Sequence, residues 1–186
     1  MSYDIHYKTE NLFGEPYPEL IDFFANYPTR GKVLDMGCGQ GRDAIPIARL
    51  GYEVMGIDNS KVGIEQMLQV AEKEGLNLKG KVSDIHKFSK YQDFDFVLFD
   101  SMFHFQKKDK EKETGLIKST IKTVKPGCLI IPCIQDTGNK VKILNEAIDF
   151  ENKLERLTNI KFNYTWEDKE TGHESTTRYR MIVARK

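Results

Sequence analysis

Along this chain, short continuous apolar runs alternate with segments whose apolar residues recur at helical spacing, the pattern of a sheet interleaved with helices. Leu20, Ile21, Phe23 and Phe24 place one apolar face on residues 18–25 and predict an amphipathic helix there. Residues 33–36 read as a buried strand, 42–50 as the next helix and 54–57 as a second strand. Pro46 costs that helix a hydrogen bond unless it falls near the first turn. Ser60 is placed to cap a further helix, whose Ile64, Met67, Leu68 and Ala71 repeat until Gly75 ends it.

A third strand is expected at residues 78–82. Residues 94–99, interrupted only by Asp95, are apolar enough for a central parallel strand covered on both faces. Leu116, Ile117, Thr120, Ile121 and Val124 line one face of a helix that Pro126-Gly127 closes, and residues 129–131 form a fifth strand. Residues 160–166 and 176–184 then alternate like half-buried strands around Lys169-Glu170-Thr171-Gly172-His173, a hairpin signal. Alternating β and α units that end in a hairpin predict an α/β fold, with a mostly parallel sheet and one antiparallel strand.

Composition narrows the function classes. A chain of 186 residues fits one domain with a substantial core. Hydrophobic and charged contents of 39% and 30% describe an ordinary soluble globular protein. Lys and Arg number 28, as do Asp and Glu, a balance that argues against a stand-alone nucleic-acid binder. Charged residues interrupt the first ten positions, so no secretory leader is expected, and no apolar run approaches the roughly 20 residues that span a bilayer. Cys38, Cys128 and Cys133 form no C-x-x-C pair and read as reduced thiols of a cytoplasmic protein. His6, His86, His104 and His173 are scattered without ligand spacing, so no structural metal is expected.

The densest chemistry lies in Asp35-Met36-Gly37-Cys38-Gly39-Gln40-Gly41-Arg42, followed by Gly56-Ile57-Asp58 at the end of the second strand. Glycines allow a sharp turn and a close approach of backbone to ligand. A dinucleotide-binding turn needs G-x-G-x-x-G to seat a pyrophosphate. Here the glycines fall at every second position, Arg42 stands where the third Rossmann glycine would be, and Asp35 would repel a pyrophosphate. The turn suits a ligand bearing an amino group or cation.

Residues 35–41 resemble motif I of the class I S-adenosylmethionine-dependent methyltransferases, D/E-x-G-x-G-x-G. Gly41-Arg42-Asp43-Ala44-Ile45, Leu50-Gly51-Tyr52-Glu53-Val54 and Gly56-Ile57-Asp58 are similar to the tellurite-resistance and thiopurine-type branch, which methylates small molecules. The resemblance covers residues 18–186. It implies a Rossmann-like, doubly wound sheet of seven strands in a single domain over residues 1–186, with S-adenosyl-L-methionine as cofactor and S-adenosyl-L-homocysteine as product.

On that resemblance, Gly37, Cys38, Gly39 and Gly41 meet the methionine end of the cofactor and Asp35 faces its ammonium. Asp58, with Asn59 beside it, takes the ribose hydroxyls, although Asp58 also reads as a turn or cap residue. Asp84 matches the acid that accepts from the adenine amino group, and Ile85 offers an amide and an apolar wall. Ser83-Asp84 reads equally as loop polarity or a helix cap. Asp100, closing the central strand, completes the cofactor set.

His104 lies in the segment following that strand, where open α/β sheets place their reaction centres, and is the candidate general base. Between Phe103 and Phe105 it also reads as a packed wall residue. Tyr3, His6 and Tyr7 lie within residues 1–17, which in the resembling family often fold over the cofactor as a lid. The other reading is a frayed terminus. Pro132-Cys133 is similar to the nucleophile of cytosine C5 methyltransferases but follows the fifth strand instead of the fourth, which favours a buried structural cysteine. The expected function is direct methyl transfer to a small-molecule acceptor, with no nucleic-acid or membrane partner. A methyltransferase acting on RNA or protein, and a non-catalytic cofactor-binding regulatory subunit, are the alternatives.

Overall fold

The computed structural model describes Asp4, Tyr7, Thr9 and residues 11–151, 154–167 and 172–186. Tyr3, His6 and residues 169–171 of the expected hairpin turn lie outside the described residues. The chain divides into two compact units, residues 1–88 and 89–186.

The first unit runs α1 (Pro18–Asn26), β1 (Lys32–Met36), α2 (Ala44–Arg49), β2 (Glu53–Asp58), α3 (Lys61–Glu74) and β3 (Leu78–Val82). Pro18 opens α1, where its missing N–H has no helical partner to lose, and Leu20 and Phe24 are buried. α2 begins at Ala44 and not at Arg42, since residues 41–43 form a turn that continues from the left-handed Gly41 (φ 86°). Pro46 is therefore the third helical residue, among the first four whose N–H groups no helix satisfies, and the expected cost disappears. α3 has the predicted ends. Ser60 Oγ accepts from Gly63 N at 3.1 Å, and Gly75 closes the helix with φ 65°. Leu34, Met36, Ile47, Ile57 and Met67 are the buried centre of this unit.

The second unit runs β4 (Phe96–Asp100), α4 (Lys110–Thr123), β5 (Leu129–Gln135), α5 (Lys140–Ile148), β6 (Glu155–Glu167) and β7 (Glu174–Arg185). β4 is buried along its whole length, as its composition predicts, but starts at Phe96 because Phe94 closes a 3-10 turn with its N–H on Tyr91 O at 3.2 Å. β5 outruns the predicted strand. It passes through Pro132, and its ladder with β7 is recorded on either side of that proline, which has no N–H to give. α5 is the element the pattern reading missed, although Leu144, Ala147 and Ile148 have helical spacing and are buried. β6 and β7 form the expected hairpin, with Phe162 opposite Tyr179 and their rings stacked at 5.8 Å.

The seven strands make one mixed sheet in the order β3-β2-β1-β4-β5-β7-β6. β7 is antiparallel to both β5 and β6, whereas β1–β2, β2–β3 and β4–β5 are parallel. This is the expected α/β architecture. No helix among the described residues is long and apolar enough to cross a membrane.

Candidate functional site

Parallel pairing of β1 with β2 sets Asp35 opposite Gly56 and Met36 opposite Ile57, so both strands deliver their carboxyl ends to the glycine turn. The turn leaves β1 at Gly37, whose N–H donates to Ile57 O at 2.7 Å. Gly37, Gly39 and Gly41 hold φ at 81°, 52° and 86°, a region that side-chain-bearing residues avoid. Gly37 is exposed, whereas Cys38, Gly39 and Gly41 are buried.

Asp58, at the end of β2, is buried, and both of its oxygens are engaged. Oδ2 accepts from Gly39 N at 3.0 Å and Oδ1 from Ser60 N at 2.7 Å. One carboxylate thus ties the glycine turn to the start of α3. Asn59, between them, is exposed. Ser83 N donates to Asp58 O at 2.8 Å and sets the segment after β3 beside this point. There Asp84 Oδ1 accepts from His86 N at 2.9 Å and caps a 3-10 turn that begins at the half-buried Ile85. The cap reading of Asp84 is therefore realised by one of its oxygens.

Asp35 lies behind the turn and is 2% exposed. Burial, then the charge of Asp43, pushes its carboxyl well above the usual carboxylate range; Asp58 adds to the rise, while Arg42 and the Ala44 N–H oppose it. Asp43 is raised as well, by burial, against the pull of Arg42, whose guanidinium lies 3.2 Å from Asp43 Oδ2 and stacks over Tyr17 at 4.8 Å. Asp35 Oδ2 is buried and has no hydrogen-bond partner among the described residues. The Cys38 thiol is pushed up by burial and then by Asp35, Asp58 and Asp43, so it is a neutral wall of the turn and no nucleophile. From sequence, Arg42 counts only as the residue at the third Rossmann glycine's place and Asp43 only as part of the extended motif; that both act on Asp35 is visible in the fold alone.

Asp4, Tyr7, Thr9 and Leu12, ahead of α1, lie on the same turn and on the start of α3. A Cβ on Gly39 would fall 2.5 Å from the Tyr7 hydroxyl, and one on Gly63 would fall 2.8 Å from Gly39 O and 3.1 Å from the Tyr7 ring. Gln66 Nε2 donates to Tyr7 O at 2.9 Å, Gln40 Nε2 donates to Thr9 O at 2.9 Å, and Leu12 N donates to Gln40 Oε1 at 3.0 Å. Asp4 Oδ1 accepts from Ser60 Oγ and from Val62 N. Tyr7 is 4% exposed, so this residue packs instead of fraying. Gln40, Gln66 and Asp4 carry no sequence signal for this role.

Asp100 and His104 belong to the second unit. Asp100 is buried at the end of β4, and Ser101 Oγ donates to its Oδ1 at 3.1 Å. The following loop bends through left-handed backbone at Ser101 (φ 54°) and Phe105 (φ 50°). Glu113 in α4 holds it, accepting from His104 N at 3.2 Å and from Phe105 N at 2.6 Å. Phe103 and Phe105 are buried and stacked at 5.6 Å, while His104 between them is exposed. The packed wall is made by its neighbours. Cys133 is buried within β5. Among the described residues, no group of His, Cys, Asp and Glu could hold a metal ion.

Comparison with known proteins gives this arrangement a family. The profile of the family described as "Tellurite resistance protein TehB" matches residues 17–170. A probable S-adenosyl-L-methionine-dependent methyltransferase TehB of Haemophilus influenzae is 34% identical over 88 residues, covering 47% of this chain and 30% of that protein. A 2-heptyl-1-hydroxyquinolin-4(1H)-one methyltransferase of Mycobacteroides abscessus is 29% identical over 125 residues, covering 66% of this chain and 54% of that protein. The alignments thus span about a third to a half of the length of these curated relatives. The crystal structure of TehB from Haemophilus influenzae superposes with a TM-score of 0.74 at 22% identity, covering 99% of this chain and 65% of that one, a likeness of fold. Matched by the family profile over most of its length, the chain belongs to the tellurite resistance protein TehB family.

Proposed function

We propose that the chain is an S-adenosylmethionine-dependent methyltransferase that passes the methyl group to a small-molecule acceptor. The observation that carries this reading is the buried Asp58 carboxylate. Each of its oxygens gives one lone pair to a backbone N–H and keeps another for one of the two vicinal hydroxyls of a ribose. The orphaned Asp35 Oδ2 meets the second requirement, an acceptor for an ammonium, so the residues present fit this cofactor.

When bound, S-adenosylmethionine supplies a methyl group activated by a positively charged sulfur. The rest falls to the chain. The open backbone at Gly37 and the turn through Cys38, Gly39 and Gly41 would seat the methionine end, with Asp35 behind it. Asp58 and Asn59 would hold the ribose, and Asp84 with Ile85 the adenine. Asp100 would complete the cofactor set, and residues 1–17, anchored by Tyr7, would cover the turn and exclude water. His104, exposed on a loop that Glu113 fixes, would take a proton from acceptors that must lose one. Acceleration would come mainly from orientation in a dry site.

The balanced charge favours a small acceptor over a nucleic acid. The relatives' names point the same way, toward oxyanions of the tellurite kind and hydroxylated heteroaromatics. The buried free thiols suit a cytoplasmic setting. The test is S-adenosylhomocysteine release from the purified protein across tellurite, selenite, N-hydroxyquinolones, phenols and small thiols. Turnover with one of these is expected, and H104A should lower kcat by about 10²-fold for a protonated acceptor. Turnover confined to RNA or protein would contradict the proposal.

A further inference from the structure

Asp35 and Asp43 are both buried, at 2% and 5% exposure, and among the described residues the cation that acts on both is Arg42. Arg42 is committed to Asp43 through two contacts, Nε to Oδ1 at 3.4 Å and an amino nitrogen to Oδ2 at 3.2 Å. Asp35 is left with the Ala44 N–H and with an oxygen, Oδ2, that no described residue bonds. Of the other described groups that act here, the Asp58 carboxylate at the end of β2 raises Asp35 further, and the Cys38 thiol in the turn is itself pushed up. Two buried carboxylates against one guanidinium leave an excess negative charge, which low-dielectric surroundings do not tolerate.

We propose that Asp35, left without the Arg42 charge that Asp43 engages, carries a proton in the free protein and releases it when a ligand's ammonium settles at its Oδ2, which makes Asp43 a specificity-determining residue for amine-bearing nucleosides. In this exchange the carboxyl O–H bond breaks and its proton leaves to solvent. The ammonium keeps its own protons and takes over the neutralising charge, and no other bond changes. Asp43 acts through Asp35, by denying it the Arg42 charge and so reserving its second oxygen for a cation from outside. The inference rests on the cofactor reading above.

The experiment is calorimetric titration with the unreactive product S-adenosylhomocysteine, repeated in buffers of different ionisation heat over roughly pH 5 to 8. The control ligand is 5′-methylthioadenosine, which keeps the nucleoside and thioether but lacks the amino-acid end. On the order of one proton should be released per S-adenosylhomocysteine within that range, with affinity rising up to about tenfold per pH unit, and none for the control. D43N frees Arg42 to neutralise Asp35 and should abolish the release while leaving methylthioadenosine affinity unchanged. Should D43N fail to fold, the contrast between the two nucleosides on the wild-type protein decides alone. Binding of S-adenosylhomocysteine with no buffer dependence at any pH, or equal release with both ligands, overturns the proton exchange and leaves the cofactor reading standing. Binding of neither nucleoside overturns the cofactor reading and this inference with it.

Discussion

Gly39 donates its N–H to Asp58 Oδ2 at 3.0 Å, a bond that joins the glycine turn after β1 to the carboxylate that ends β2. The same carboxylate accepts from Ser60 N at 2.7 Å, so the turn and the start of α3 share one anchor. An asparagine offers one acceptor oxygen and would aim an NH2 at one of these N–H groups. D58N should therefore destabilise the protein by about 1–3 kcal/mol even without ligand, read as a lower urea midpoint.

Tyr7 and Gly39 are a second such pair. Gly39→Ala faces a positive φ of 52° and a Tyr7 hydroxyl 2.5 Å from the new methyl carbon. We expect a loss of about 2–4 kcal/mol, the sum of backbone strain and overpacking. Y7A should remove the steric share and leave the backbone share. In a double-mutant cycle the cost of G39A should then fall by about 1 kcal/mol in the Y7A background. Strict additivity would mean that the N-terminal segment does not lie on the turn.

These two pairs show what the sequence makes legible. Three alternating glycines, a strand ending in Asp58, and Ser60 and Gly75 at the ends of α3 are local signals, set by backbone sterics and capping, and each stands where the pattern predicts. Contacts made between different elements are not legible. The Arg42–Asp43 pair behind Asp35, the grip of Gln40 and Gln66 on the N-terminal segment, and the hold of Glu113 on the His104 loop arise only when elements pack. α2 begins late because residues 41–43 are still part of the glycine turn, which the apolar periodicity alone does not reveal. α5 is amphipathic but short and polar at its start, so its period is easily passed over.

The state of Asp35 makes stability depend on pH. Its carboxyl is raised in the folded chain, chiefly by burial and then by Asp43, so folding favours the protonated form. That contribution is fully present below the ordinary carboxyl range and is lost as pH rises through the folded value. Urea midpoints of the ligand-free protein should fall over that interval, with a slope of up to about 1.4 kcal/mol per pH unit. D35N, permanently neutral, should flatten the profile. An unchanged slope in D35N would assign it to other groups.

All three cysteines are buried and free, and the Cys128 thiol is pushed up to about 12 by burial. Thiolates do the attacking, so the native chain should resist iodoacetamide at neutral pH and become labelled only in denaturant. Rapid labelling of Cys133 in the native protein would reopen a nucleophilic role for Pro132-Cys133.

Glu113 anchors two consecutive amides, those of His104 and Phe105, next to left-handed backbone at Phe105. E113A should speed hydrogen exchange at both amides by about tenfold, the worth of one to two hydrogen bonds, without changing exchange in β1 or β2. Protection equal to that of the wild type would show that ring packing alone holds the loop.

If Asp58 and the glycine turn hold the adenosyl group of the proposed cofactor, calorimetric titration with S-adenosylmethionine will register it. Saturable one-to-one binding is expected for the wild-type protein, with an affinity lower by about tenfold or more in D58A, through the lost hydroxyl acceptors and the loosened turn. Equal affinity in both proteins, or no saturable binding by the wild type, would contradict it.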